Sequence, residues 1–265
     1  MSRKRASKRI SAKELDRLKE ALAPLLGVPL KILSVPLGSL KMFEPSQIGT
    51  ICGTLMDACL PFLEEMPQVG IRKHTGILGH REGYPDYHHD RGYRLELKLL
   101  FVDNASLDMK RPPTKREPSA RLTQKVTIKN VDPAKDALLL IAYKMQPRAD
   151  SPDFASPTVV DLTVLSMVEL VEARDTRLKE FGGRWFGDYE TPAILSKLGK
   201  EKVSKGIKLD TASYGRKESE GRDFNEDTNF GKLKRIPHAQ LQAFLAKHRL
   251  VGSSDTPHLL PSQVD

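Results

Sequence analysis

Cysteine is nearly absent: two occur among 265 residues, Cys52 and Cys59. In one predicted helix they stand about 10 Å apart along the axis, too far to bridge. Disulfide stapling is thereby excluded, and both read as buried free thiols in a reducing compartment. Aromatic side chains are also few, at 6% with a single tryptophan. Their lack of a recognisable stacking spacing speaks against an RNA-binding protein. No apolar run approaches a membrane span, and the opening MSRKRASKRIS has no apolar stretch for a signal peptide. The expectation is a soluble, cytoplasmic protein with no membrane partner. Internal repeats and low-complexity tracts are missing too, which leaves an ordinary globular chain long enough to bury a full core.

What the chain has in excess is positive charge. Lys plus Arg number 43 against 34 Asp plus Glu, a net charge of +9 with a pI near 9.4. Such a surface favours a polyanionic partner.

The stretch around which the rest is organised is Gly83 to Val102, GYPDYHHDRGYRLELKLLFV. Tyr93 to Val102 reads as a core strand, and Tyr87 to Gly92 supplies turn residues for a hairpin or tight corner leading into it. Alternation puts Leu95, Leu97 and Leu99 on the core face and projects Glu96 and Lys98 together from the other, about 7 Å apart. Asp86, on the preceding arm, reaches that pair once the chain doubles back. Two hard carboxylates suit Mg²⁺, which keeps several waters and takes substrate phosphate oxygens at its remaining positions.

Pro85-Asp86, nine intervening residues and Glu96-Leu97-Lys98 resemble the motif of the PD-(D/E)xK phosphodiesterases, and within them the type II restriction endonucleases. The resemblance implies an αβββαβ core, Asp86 and Glu96 as divalent-metal ligands, and Lys98 positioning or polarising the attacking water. It also implies cleavage leaving 5′-phosphates and, for a palindromic site, a homodimer matching the two-fold of the DNA. A helix before the hairpin often adds a carboxylate in that family, a role open to Glu44 or Asp57. A second match, Asp108-Met109-Lys110, lies in a polar, proline-flanked stretch with no strand to hold it. An ordinary edge-strand salt bridge would also explain Glu96 and Lys98. Against it stand the apolar continuation Leu99 to Val102, which makes unpaired charge costly there, the proline-preceded Asp86, and the basic chain.

Along the chain, residues 1–10 form a basic arm, either solvated or lying on phosphates. Ser11 and Glu14 make a capping box for a helix carrying Leu15, Leu18, Leu22 and Leu25 and ending at Gly27. A connector with a short extended piece leads to a helix starting at Glu44-Pro45-Ser46, in which Gly49 and Gly53 leave room for a close backbone. Val69 to His80 reads as the first strand of a meander. His74, His80, His88 and His89 match no zinc spacing and suit a turn touching phosphate or solvent. Asp103 to Ser119 is a long basic loop. Ala120 to Val131 has strand-like alternation, but a parallel pairing of Tyr93–Val102 with Ala137–Met145 requires a crossover, so a helix is expected, with Gln124 and Lys125 leaning towards the site. Thr158 to Leu165 is a buried strand followed by a helix over Ser166–Phe181, with Arg174, Asp175 and Arg177 as surface charges. Trp185, Phe186 and Tyr189 read as a packing plug, and a short helix should follow Thr191-Pro192 and end near Gly199. Lys200 to Arg235 reads as a mixed-charge solvated loop, and Pro237 opens a final helix.

The fold expected is α/β, a mixed central sheet flanked by helices, with a basic C-terminal elaboration. The divisions are residues 1–10, a catalytic domain 11–199, and 200–265 as part of its DNA-binding surface. The expected function is Mg²⁺-dependent, site-specific endonucleolytic cleavage of double-stranded DNA by Asp86, Glu96 and Lys98, with Glu44 as a possible additional acid. DNA contacts are expected from Lys110, Arg111 and Arg116, and from Arg216, Lys217, Arg222, Asn225, Asn229, Lys232, Lys234 and Arg235, since Arg and Asn are the side chains that read guanine and adenine. The alternatives are a structure-selective repair or junction nuclease on the same fold, and a non-catalytic DNA-binding protein.

Overall fold

The computed structural model describes residues 8–62, 68–74, 84–102, 104, 106, 107, 109, 120–122, 126–180, 183–186, 191–194, 196–207 and 231–248. Its centre is a six-stranded mixed sheet with helices on both faces. The strands are β1 (Val35–Pro36), β2 (Ile71–Lys73), β3 (Tyr87–His89), β4 (Arg94–Phe101), β5 (Asp136–Pro147) and β6 (Phe154–Ser166), in the spatial order β1-β6-β5-β4-β3-β2. Strands β2, β3 and β4 make the antiparallel meander expected from the sequence, β5 lies parallel to β4, and β6 returns antiparallel.

The long run in β5 explains why it is central. Ala137, Leu139, Ile141, Tyr143 and Met145 point into one apolar layer, Leu138, Leu140 and Ala142 into the other, and all are essentially solvent-free. A strand buried on both faces needs such continuous apolar sequence. The first layer is closed by α1 (Ala12–Leu22) and α2 (Pro45–Cys59) through Leu18, Leu22, Ile48, Cys52 and Met56. Ser11 and Glu14 form the capping box on α1, and Gly27, at φ 79°, turns the chain after it. Of the two helix glycines, Gly49 lies against Phe101, 3.4 Å from where a Cβ would sit, whereas Gly53 faces open space. The neighbour at Gly49 is thus a side chain, and the close backbone expected at both glycines is found at neither among the described residues.

The second layer is closed by α3 (Met167–Glu180) and the final helix. Between them come a separate two-stranded sheet, β7 (Gly183–Phe186) with β8 (Thr191–Ile194), and α4 (Lys197–Ser204). Thr191-Pro192 therefore begins a strand rather than a helix, and α4 spans the division expected at residue 199. The last helix, α5 (Ala239–Lys247), buries Leu241 and Phe244. Preceded by Leu233 and Ile236, it sits in the same apolar layer as Leu100, Leu138 and Leu140, so this described C-terminal stretch, 233–245, belongs to the main core.

Two expectations fail for a shared reason. Among the described residues of 103–135 there is no crossover helix. Residues 120–122 run beside 231–233 instead: Leu122 N–H donates to Gly231 O and Leu233 N–H to Ala120 O. Val126, Thr127, Ile128 and Val131 are β-branched, which weakens a helix, and Thr127–Asn130 forms only a turn. The carbonyls a helix would have satisfied internally need other donors. Arg174 supplies them, its Nη1 donating to Leu122 O at 2.8 Å and Val126 O at 2.7 Å. Arg174 is thus fully buried and Arg177 7% exposed, not surface charges. Gln124 and Lys125 lie outside the described residues, as do Tyr189 and residues 1–7. Arg9, at the end of the basic arm, is paired bidentately with Glu172 at 2.7 and 2.9 Å rather than held out for phosphate. No described helix is long and apolar enough to cross a membrane.

Candidate active site

The site is built by the short β3 strand. Its pairing with β4 runs from His88↔Arg94 to Tyr87↔Leu95, and one residue further along Asp86 lies opposite Glu96. Because β3 ends at Tyr87, the Leu97 N–H has no strand partner on that side. The Asp86 Oδ2 takes it at 2.7 Å. His74 N–H donates to Asp86 O at 2.9 Å from the other flank. Asp86 is thereby held at both backbone and side chain.

Leu95 and Leu97 enter the α1–α2 layer, and Glu96 and Lys98 project from the opposite face of β4. The expected alternation therefore holds. Lys98 Nζ lies 2.6 Å from Glu96 Oε1 and 3.9 Å from Asp86 Oδ2, so the three side chains converge. Glu96 is only 6% exposed, and its Oε2 is buried with no hydrogen-bond partner among the described residues.

Burial dominates the electrostatics. It pushes the Glu96 carboxyl up to about 7; Lys98 opposes the rise, while Asp86 and Asp57 add to it. Asp86 is also raised, first by burial, with Lys98 and the Leu97 N–H pulling the other way. For Lys98 burial acts against the charge, but Glu96 and Asp86 outweigh it and its pKa rises. Two carboxylates and one ammonium share a pocket that hydrates none of them well.

Of the two candidate acids on α2, Asp57 is the one near this cluster. It occupies the last turn, its Oδ1 taking Lys73 Nζ at 2.7 Å, its carbonyl taking the Tyr87 hydroxyl. Lys73 Nζ also stands 4.5 Å from the Tyr87 ring centroid. Glu44 is the N-cap, about 20 Å away along the helix axis at 1.5 Å per residue. Its N–H is taken by Gln47 Oε1 at 3.0 Å, a capping arrangement. The sequence held a signal for this difference. A carboxylate is favoured at a helix N-terminus and disfavoured in the last turn, so Asp57 is the one whose position needs another cause.

Sequence reading missed two further groupings. His74 Nδ1 and His88 Nε2 lie 2.8 Å apart. Tyr84, Arg94 and the N–H of Asp132 converge on the fully buried Asp136, which closes the start of the parallel β4–β5 pair. His88 and His89 do point to opposite faces, half-buried and buried respectively.

Of the expected DNA contacts, Lys110, Arg111, Arg116, Arg216, Lys217, Arg222, Asn225 and Asn229 lie outside the described residues. Lys232 pairs by its backbone with Arg121, and Lys232 and Lys234 are half-buried. Arg235 is 8% exposed within a 3-10 turn between buried Leu233 and Ile236. That burial leaves little guanidinium surface for a base edge.

Among the described residues no three His, Cys, Asp or Glu side chains gather closely enough to form a metal cage. Mg²⁺ needs less, since one or two carboxylates with water and phosphate oxygens suffice. Asp86 and Glu96 fit that donor set, and Glu96 Oε2, without a partner among the described residues, is the atom a cation would satisfy. No protein-family model, curated protein or solved structure matches this chain.

Proposed function

We propose that the protein is a Mg²⁺-dependent, site-specific endonuclease acting on double-stranded DNA, on a core of the restriction-endonuclease type. The observation that carries this reading is the convergence of Asp86, Glu96 and Lys98 around a buried carboxylate oxygen with no partner among the described residues. Burying an acid beside a second acid costs stability, and a metal site is a function that repays such an arrangement.

In this reading Asp86 and Glu96 hold the ion, and Asp57, whose charge raises the pKa of both, supports them from α2 rather than as a third ligand. Bound there, Mg²⁺ supplies Lewis-acid polarisation of the scissile phosphate and a more acidic water. Asp86 is aimed by the Leu97 N–H, so the first acid is fixed by the strand that carries the second. Lys98, kept cationic by the two carboxylates, orients the attacking water and stabilises charge on the phosphorane-like transition state rather than taking a proton. The net charge of +9 suits a polyanionic partner, in this reading DNA, and a homodimer would place two such sites on opposite strands of a palindrome.

The test is a long plasmid incubated with the protein at low salt in Mg²⁺ and in EDTA. Discrete Mg²⁺-dependent fragments support the reading, and sequencing their ends gives the site. Cleavage only of branched or damaged DNA would move the assignment to a structure-selective nuclease. A plasmid shifted on a gel but never cut would make the protein a DNA binder whose Glu96–Lys98 pair is a salt bridge.

A further inference from the structure

Beside the carboxylate cluster lies a pair of imidazoles that the proposed reaction does not use. His74 follows β2 directly and His88 is the middle residue of β3. Arg72 pairs with His88 and Lys73 with Tyr87, so His74 comes opposite Asp86 and diagonal to His88 on the same face of the meander. Diagonal side chains of an antiparallel pair are within reach of one another when long or aromatic. Here the rings meet with centroids 4.9 Å apart, Nδ1 of His74 facing Nε2 of His88 at 2.8 Å.

We infer that His74 and His88 form a second, softer cation site, taking a divalent transition metal such as Zn²⁺, distinct from the hard-cation site on Asp86 and Glu96. Two imidazole nitrogens on one tetrahedral ion, at 2.0–2.1 Å each, stand about 3.3 Å apart. The observed pair is hydrogen-bonded, so binding an ion exchanges that bond for two metal bonds, releases the shared proton to solvent and opens the nitrogens by about half an ångström. Imidazole selects Zn²⁺, Cu²⁺ and Ni²⁺ over Mg²⁺, which prefers oxygen. The flanking cations do not forbid it, because each has its own acid: Arg72 pairs with Asp90 at 2.5 Å and Arg94 with Asp136. Water fills the remaining positions, which sets the expected affinity in the micromolar range rather than that of a four-ligand structural site. The inference does not depend on the nuclease reading.

The test is calorimetric titration of the full chain with Zn²⁺ at pH 7.5. Four variants accompany the wild type: His74→Ala, His88→Gln, the double Asp86→Asn/Glu96→Gln, and His238→Ala as a distant control. One Zn²⁺ per chain is expected in the wild type, weakened at least tenfold in each of the first two variants and kept in the other two. Absence of Zn²⁺ binding in the wild type overturns the inference, as does unchanged binding in both His74→Ala and His88→Gln. Loss confined to the carboxylate variant also overturns it, by placing the ion on Asp86 and Glu96. Should a histidine variant not fold, Cu²⁺ electron paramagnetic resonance of the wild type decides. Hyperfine structure from two imidazole nitrogens upholds the pair, and an all-oxygen spectrum refutes it.

Discussion

The carboxylate of Asp86 accepts the backbone N–H of Leu97 at 2.7 Å, and Leu97 stands between Glu96 and Lys98. One hydrogen bond therefore ties the first acid of the site to the strand carrying the other two groups. Asp86→Asn keeps an acceptor for that N–H but removes the charge. It should fold like the wild type and cut DNA at least about a hundredfold more slowly, a loss at or above that typical of outer-shell partners of metal ligands. Parallel melting curves and cleavage rates check both halves.

Glu96 makes a prediction with an unusual sign. Its folded pKa of about 7 lies above its ordinary 4.5, so between those values the folded protein binds more protons than the unfolded chain. Metal-free stability should fall as pH rises through that window, by about 3 kcal/mol at most. Glu96→Gln removes the titrating group, so its stability should lack this fall between pH 5 and 7.5, even as cleavage is lost. Urea unfolding of both proteins at pH 5 and 7.5, in EDTA, measures it. The same change in stability between the two pH values in both proteins would refute the burial argument.

How much of this was visible in the sequence depends on how local each cause is. The turn before β4, expected over Tyr87–Gly92 but confined to Asp90–Gly92 because Tyr87–His89 pairs as strand, the alternation of Leu95, Glu96, Leu97 and Lys98, and the capping box at Ser11 and Glu14 are set by neighbours in the chain. All were legible. The parallel partner of β4 was legible from the apolar run of Ala137 to Met145. The crossover was not, because Leu122 and Val126 find their donor in Arg174, some fifty positions away. The same distant contact hid the burial of Arg174 behind a helical position that looks solvated. Asp57 and Glu44 both lie on α2, and helix register alone could not say which end faces the hairpin.

That choice is testable directly. Glu44→Gln should leave Mg²⁺-dependent cleavage within about twofold of the wild type, since it alters only a helix cap. Asp57→Asn should lower cleavage by about tenfold or more, as expected of a group supporting the ligands. The reverse pattern in initial rates would return the additional acid to Glu44.

Arg174 carries a purely structural prediction. Arg174→Leu fills similar space but leaves the Leu122 and Val126 carbonyls without that donor and removes the 2.9 Å ion pair with Asp175. Removing one member of such a buried network should cost about 3 kcal/mol. Urea unfolding midpoints give the value, and hydrogen exchange should show the loosening concentrated in residues 120–131.

The central claim is that Asp86, Glu96 and Lys98 act on DNA and do not merely pair with one another. Its most direct test compares the wild type with Lys98→Ala on the same plasmid in Mg²⁺, scoring cleavage and gel retardation in parallel. Discrete fragments are expected from the wild type, none from the variant, and equal DNA retardation by both in EDTA. Equal cutting by the two proteins, or none by the wild type, would contradict it.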